Sequence, residues 1–193
     1  MYGTHKFDAD FAFAHRDIVG NTASWMSWTD QIVDTWSFSP KYTLETDLGP
    51  LHEQLVAGVD WTRDDLTIDL YNDVDRRLWQ GRADIARDSL APFVRSTLSY
   101  EKWVSLSAGG RWAESEITVE TDDMGTPGFP PFFPGLPRTL TSDSKTHTES
   151  AYHIGATINP LDCLKLFAKY DTIYRFPFTD EQAVYIGYGM NSF

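Results

Sequence analysis

The stretch Leu55-Val56-Ala57-Gly58-Val59-Asp60-Trp61-Thr62 alternates residue by residue. Leu55, Ala57, Val59 and Trp61 fall on one side, and Gln54, Val56, Gly58, Asp60 and Thr62 on the other. Side chains in a strand point to opposite faces with a period of two, so this is a strand with one apolar and one polar face. The same template recurs on both sides of it. Upstream it covers Phe7, Ala9, Phe11 and Phe13, then Trp36, Phe38, Tyr42 and Leu44. Downstream it covers Val94, Leu98 and Tyr100, then Val104, Leu106, Ala108 and Trp112. It returns in Tyr152, Ile154, Ala156 and Ile158, and in Leu164, Leu166, Ala168 and Tyr170. Seven segments on one template predict an all-β chain.

Three places break the rule. After Trp61 the apolar residues move to Leu66, Ile68 and Leu70, and after Trp112 to Ile117 and Val119. Each slip is either a bulge or the point at which a strand leaves a membrane. Pro40 lies inside the second segment, where it cannot donate to a ladder.

The connections alternate in length. Asp47-Leu48-Gly49-Pro50, Glu101-Lys102 and Asn159-Pro160-Leu161-Asp162 are short turns, whereas the stretches 15–34, 72–90 and 121–146 read as long connections. An antiparallel up-and-down transmembrane barrel has short periplasmic turns and longer extracellular loops. The face opposite the apolar residues is polar, with Asp60, Arg95, Arg111, His153, Lys165 and Lys169, as a wet lumen requires. Tyr42, Tyr100 and Trp103 lie near the short turns, where an interfacial aromatic girdle sits. A soluble β-sandwich with one solvated face is the competing architecture. Trp25, Trp28, Ile32 and Trp36 have helical spacing, which allows a short amphipathic turn in the first loop.

Composition narrows the function classes. Asp plus Glu number 28 against 16 Lys plus Arg, a net charge of −12, which would repel nucleic acid. The single Cys163 can form no intrachain disulfide, and it is expected as a small apolar filler. No Gly-x-Ser-x-Gly elbow or His-Glu-x-x-His pair occurs, so no catalytic residues are assigned and no enzyme is expected. The pairs Asp64-Asp65 and Asp122-Asp123 read as solvated charge. His5, His15, His52, His147 and His153 are scattered, so no metal or cofactor is predicted.

Residues 163–181 run through Tyr174, Arg175, Phe176, Pro177 and the pair Asp180-Glu181. This resembles the late-barrel box of TonB-dependent outer-membrane receptors, in which Tyr or Phe, Arg, a variable residue and Pro precede an acidic residue. Leu55–Arg63 and Val104–Trp112 are similar to other strands of those barrels, in the same order. The resemblance covers most of residues 35–181. It implies part of a barrel of about 22 strands, with seven or eight of them here and no plug domain over residues 1–193. The alternate positions before Phe193 are Asn191, Gly189 and Gly187, which does not make a lipid-facing final strand. An internal fragment of a receptor is therefore expected.

The resemblance also implies a function. Such a receptor sits in the outer membrane of a Gram-negative bacterium, in contact with its lipid. It couples to the TonB complex and takes up a scarce ligand, most often a ferric siderophore. Haem ranks lower, because no His follows the Arg-x-Pro box. Arg and aromatic side chains on the loops would supply ligand contacts. The candidates are Arg76, Arg77, Trp79, Arg82, Phe132 and Phe133, with Arg76, Arg77, Arg82 and Arg87 as a local basic patch. Tyr174, Arg175, Pro177 and Glu181 are expected to be structural. Two alternatives stay open: a small stand-alone barrel acting as an adhesin or structural protein, and a soluble β-domain that binds carbohydrate.

Overall fold

The computed structural model describes residues 3–24, 27–125, 137–161 and 163–176. Among the described residues seven strands follow one another: β1 (Gly3–Ser24), β2 (Ser27–Leu48), β3 (Leu51–Tyr71), β4 (Trp79–Tyr100), β5 (Val104–Asp123), β6 (Thr139–Leu161) and β7 (Leu164–Asp171). They form one sheet in chain order, each antiparallel to the next. This is the up-and-down arrangement expected of a partial barrel.

The short turns close as predicted. Gly49 takes a φ of 69° between β2 and β3, a conformation open to glycine at little cost. Neighbouring turns are stitched together: the Glu101 N–H donates to the Pro50 carbonyl at 2.9 Å, and the Asn159 N–H to the Trp103 carbonyl at 2.8 Å. Cys163 lies exposed in the turn before β7, so it is not the apolar filler expected of it.

The long connections need correction. Most of 15–34 and much of 72–90 and 121–146 continue as strand. Only 72–78 and 124–138 separate β3 from β4 and β5 from β6. In the outer halves of β3, β4 and β5 the alternation changes face, so the template of the inner halves no longer fits while the ladder runs on. The helical spacing in the first loop has a separate origin. Trp28, Ile32 and Trp36 stand four apart on β2, and a spacing of four also keeps one face of a strand. Trp25 lies outside the described residues.

The two slips are not bulges. The β2–β3 register runs without a shift from Leu48↔Leu51 to Trp28↔Tyr71, and β5–β6 from Val104↔Ile158 to Asp123↔Thr139. The apolar residues therefore change sides of one continuous sheet. Near the short turns the apolar side is exposed: Phe11, Phe13, Trp36, Phe38, Val94, Leu98, Leu106, Ile154 and Tyr170 all face outward. Farther along, the opposite face carries Leu66, Ile68, Leu70, Ala83, Ile85, Ile117 and Val119, which are buried against one another with Val33 at the margin. Beyond the exposed belt the outward side is carboxylate-rich, with Asp65, Asp69, Asp84, Asp88, Glu114, Glu116 and Glu120.

Lengths agree with this division. A strand of 22 residues extends roughly 70 Å at ~3.3 Å per residue. Only about 9–11 tilted residues are needed to cross the hydrocarbon core. Each strand is therefore long enough to carry an apolar-faced segment of membrane-crossing length near the short turns and a polar-faced segment beyond it. A soluble domain does not expose a continuous apolar belt of this size.

Pro40 is accommodated by local thinning of the ladder. The β2–β3 pairing passes from Phe38↔Trp61 to Lys41↔Gly58 without pairing Ser39 or Pro40. Gly58 is required there: a Cβ would come 2.7 Å from the Pro40 carbonyl oxygen and 2.6 Å from Phe93 Cζ.

Candidate functional site

The far end of the β3–β4 hairpin holds most of the loop candidates. Loop 72–78 is tied by Asp73, whose carboxylate accepts the N–H groups of Arg77 (3.1 Å) and Leu78 (2.7 Å). Its carbonyl accepts the Arg76 N–H at 3.2 Å, and the Asn72 N–H donates to the Leu78 carbonyl at 2.9 Å. An Asp side chain that bonds to following backbone groups is a common turn former. Arg76 takes a left-handed φ of 57°. Its guanidinium leaves the loop to meet Asp30 of β2, with Nε 2.8 Å from Oδ2.

Asp69 gathers two further candidates. Arg82 binds it bidentately at 2.9 Å through both Nε and Nη2, and the Trp79 indole N–H donates at 3.1 Å. Asp69 and Arg82 are cross-strand partners, so the sheet register itself aims the pair. This end lies beyond the exposed apolar belt. Burial there pushes the Asp69 carboxyl up, but the hydrogen bonds from Arg82 and Trp79 outweigh it and hold the carboxyl below its ordinary range. The bond to Asp69 likewise raises Arg82.

The arginines thus do not form one patch. Arg82 points outward, whereas Arg87 pairs with Asp64 on the opposite, inward face. Arg82 and Arg87 are five positions apart, and an odd offset along a strand places side chains on opposite faces. Arg87 Nε donates to Asp64 at 3.0 Å, and Thr35 donates to the same carboxylate at 2.8 Å. Arg77 remains at the loop tip, 81% exposed and 3.9 Å from Asp75, beside exposed Val74 and Leu78. Phe132 and Phe133 lie outside the described residues.

The inward face of β3–β7 is a second site. Asp60, Arg95, Arg111, His153, Lys165 and Lys169 all point to this side, as the alternation predicts. Arg111 on β5 donates through Nη1 to Asp60 on β3 at 2.6 Å and through Nε to the Tyr174 hydroxyl at 2.9 Å. The Tyr174 ring packs on Phe176, with centroids 5.3 Å apart. Tyr174 therefore has a structural contact, and Arg175 is also engaged. Pro177 and Glu181 lie outside the described residues.

Beside this pair, His153 links three strands. Its Nδ1 lies 2.8 Å from Asp171 and its Nε2 2.9 Å from the Ser107 hydroxyl, while Lys169 meets Asp171 at 2.6 Å. Opposite an ionised Asp171, the ring donates from Nδ1 and accepts at Nε2. Ser, His and Asp in this order resemble a hydrolytic triad. However, β5 is paired on both sides at Ser107, so the backbone N–H groups around it are committed to ladders and none can hold an oxyanion. The trio is a strut between β5, β6 and β7.

These side chains surround a groove of about 880 Å³ lined also by Gly109 and Gly155. Both glycines fall on the inward parity of a strand, and that signal was available.

Comparison with known proteins agrees with this geometry. A family model described as "TonB dependent receptor-like, beta-barrel" matches residues 1–192. A search of curated proteins finds no match. Among solved structures, the chain is similar to the ferric-catecholate import receptor Fiu of E. coli K12. The closed form aligns at 14% identity with a TM-score of 0.61, covering 88% of this chain and 30% of that one. The open form aligns at 14% identity with a TM-score of 0.60, covering 88% and 32%. The chain thus spans about a third of the length of the structures it resembles, and at this identity the likeness is one of fold. With the matched residues running almost end to end, the chain belongs to the TonB-dependent receptor β-barrel family.

Proposed function

We propose that this chain forms wall of a Gram-negative outer-membrane receptor that imports a scarce ligand, a ferric siderophore, with energy supplied through TonB. The observation that carries the reading is the reversal of the apolar face along β3 and β5. It supports strands anchored in lipid near the short turns and a water-exposed end that can meet a ligand. Family membership and the fold shared with Fiu, itself a ferric-catecholate import receptor, support the same reading.

In this reading Arg77 contacts the ligand, with Val74 and Leu78 beside it, and Phe132 and Phe133 are kept as candidates from the sequence alone. Arg76, Trp79 and Arg82 act one step back, because Asp30 and Asp69 hold them. Iron chelates are bulky, often aromatic and often anionic, and a guanidinium flanked by apolar groups suits them. The test is uptake of radiolabelled iron as a catecholate chelate by cells with and without the receptor gene. TonB-dependent uptake lost on deletion and regained on complementation is expected. Unchanged uptake of catecholate, hydroxamate and carboxylate chelates alike would overturn it.

A further inference from the structure

One row of outward side chains crosses the loop end of the sheet from β2 to β5. The register sets Asp30 of β2 opposite Asp69 of β3, Asp69 opposite Arg82 of β4, and Arg82 opposite Asp122 of β5. On its far side Asp122 faces Leu140 of β6, two positions after Arg138. Arg138 binds Asp122 bidentately, Nε to Oδ1 at 2.8 Å and Nη2 to Oδ2 at 2.6 Å. β4 and β5 stay joined past this row, because the Met124 N–H donates to the Gln80 carbonyl at 2.9 Å.

Three guanidiniums meet the three carboxylates of the row: Arg76 meets Asp30, Arg82 meets Asp69 and Arg138 meets Asp122. The middle pairing is the informative one. Arg82 stands between two carboxylates, yet it gives both Nε and Nη2 to Asp69. Neighbouring strands lie about 5 Å apart, so an arginine on the middle strand can reach the partner on either side. Arg138 occupies both oxygens of Asp122, and its hydrogen bonds hold that carboxyl below its ordinary range. Asp69 in turn accepts the indole N–H of Trp79, the residue that follows loop 72–78, and Asp30 beside it holds Arg76 of that loop. Like charges directly opposite in a sheet repel, so Asp30 and Asp69 stay side by side through Arg76 and Arg82.

We propose that Arg138 is a positioning residue for loop 72–78: by filling Asp122 it leaves Arg82 to Asp69, and Asp69 with Arg82 holds the base of the loop. Without Arg138, Asp122 competes for Arg82, and the pull passes from β5 through β4 to β3. The two placements of Arg82, on Asp69 or on Asp122, are the discrete element that such a coupling requires. Bidentate charge-assisted bonds make each placement specific. The coupling belongs to the wall itself. It goes beyond the transport reading and stands whatever ligand the loop meets.

The test is hydrogen exchange of the detergent-purified receptor, as the cell makes it, comparing amides of 72–78 with those of 51–58 at the opposite end of β3. Arg138→Gln should speed exchange at 72–78 about fivefold and leave 51–58 unchanged. Adding Asp122→Asn to Arg138→Gln should restore the slow rate, because the competitor for Arg82 is gone. Asp122→Asn alone should keep the slow rate for the same reason. A bond between Arg138 and Asp122 that only braced the sheet would instead leave all three variants equally fast. Retained folding of each variant is checked by heat-modifiable migration on a gel. Unchanged exchange at 72–78 in Arg138→Gln, a double variant as fast as the single one, or an equal rise at 51–58 would overturn the proposal. Iron uptake is not read in this experiment, so this inference and the transport reading fail separately.

Discussion

Arg111 and Asp60 are joined at 2.6 Å across the inner face, on strands that are not neighbours. The bridge passes over β4, where buried Ala91 stands opposite Asp60. A larger residue there would occupy its path. From the same guanidinium a second bond reaches Tyr174, so one side chain ties β3, β5 and the segment after β7.

Removing this tie should cost little globally and more locally. Both partners are partly exposed, so Arg111→Ala is expected to lower stability by about 1 kcal/mol. Faster hydrogen exchange after β7, around Tyr174, should exceed that at β1. Equal exchange in both regions would show that the bridge carries nothing.

Gly58 is the most exacting position in the lower sheet. Gly58→Ala drives a Cβ to within 2.7 Å of the Pro40 carbonyl oxygen, and backbone cannot step aside as a side chain can. A loss of about 1–3 kcal/mol is expected, measured by urea unfolding in lipid vesicles. Phe93→Leu should relieve only the second contact, because the carbonyl remains.

Asp69 should make the loop end sensitive to acid. Its carboxyl lies below its ordinary value in the folded chain, so the unfolded chain takes up a proton first as pH falls. The stabilisation is therefore complete above the ordinary carboxylate value of about 4 and is lost as pH drops through the lowered value. Exchange of the 72–78 amides should rise in that acid window, and Asp69→Asn should show the high rate already at neutral pH. No acid rise in the wild type, or a neutral-pH rate in Asp69→Asn equal to that of the wild type, would contradict the Asp69–Arg82 anchor.

The face reversal predicts opposite responses to the same charge. Val94 is exposed on the outward apolar belt, and Val94→Arg should impair folding into vesicles by roughly 2–4 kcal/mol. Glu116 lies on the same outward side of the sheet beyond the belt. Glu116→Arg should change stability by less than about 0.5 kcal/mol.

Most of the fold was legible because period-two alternation survives wherever one face meets lipid and the other water. Phe11, Val94 and Ile154 mark that zone in the sequence. Beyond it the cue inverts: Leu66 and Ile117 are apolar on the inner side, so one template no longer fits and strand reads as loop. Trp28, Ile32 and Trp36 misled for a simpler reason, since a spacing of four satisfies helix and strand alike. At the site, the inward group from Asp60 to Lys169 was readable from parity. What parity could not show was pairing between distant strands, such as Arg111 with Asp60, or that Asp30 and Asp69 hold Arg76 and Arg82. Those depend on register, which emerges only when the strands are laid side by side.

The most direct measurement is depth-resolved spin-label accessibility along one outward face, in a Cys163→Ser background. Single labels are placed by Phe38→Cys, Val94→Cys, Asp84→Cys and Glu116→Cys in the receptor reconstituted in lipid. Labels at 38 and 94 should be reached by oxygen dissolved in the bilayer and shielded from a water-soluble nickel complex. Labels at 84 and 116 should show the reverse. Equal access of the nickel complex at all four positions would mean that this face never enters lipid, and would contradict the account.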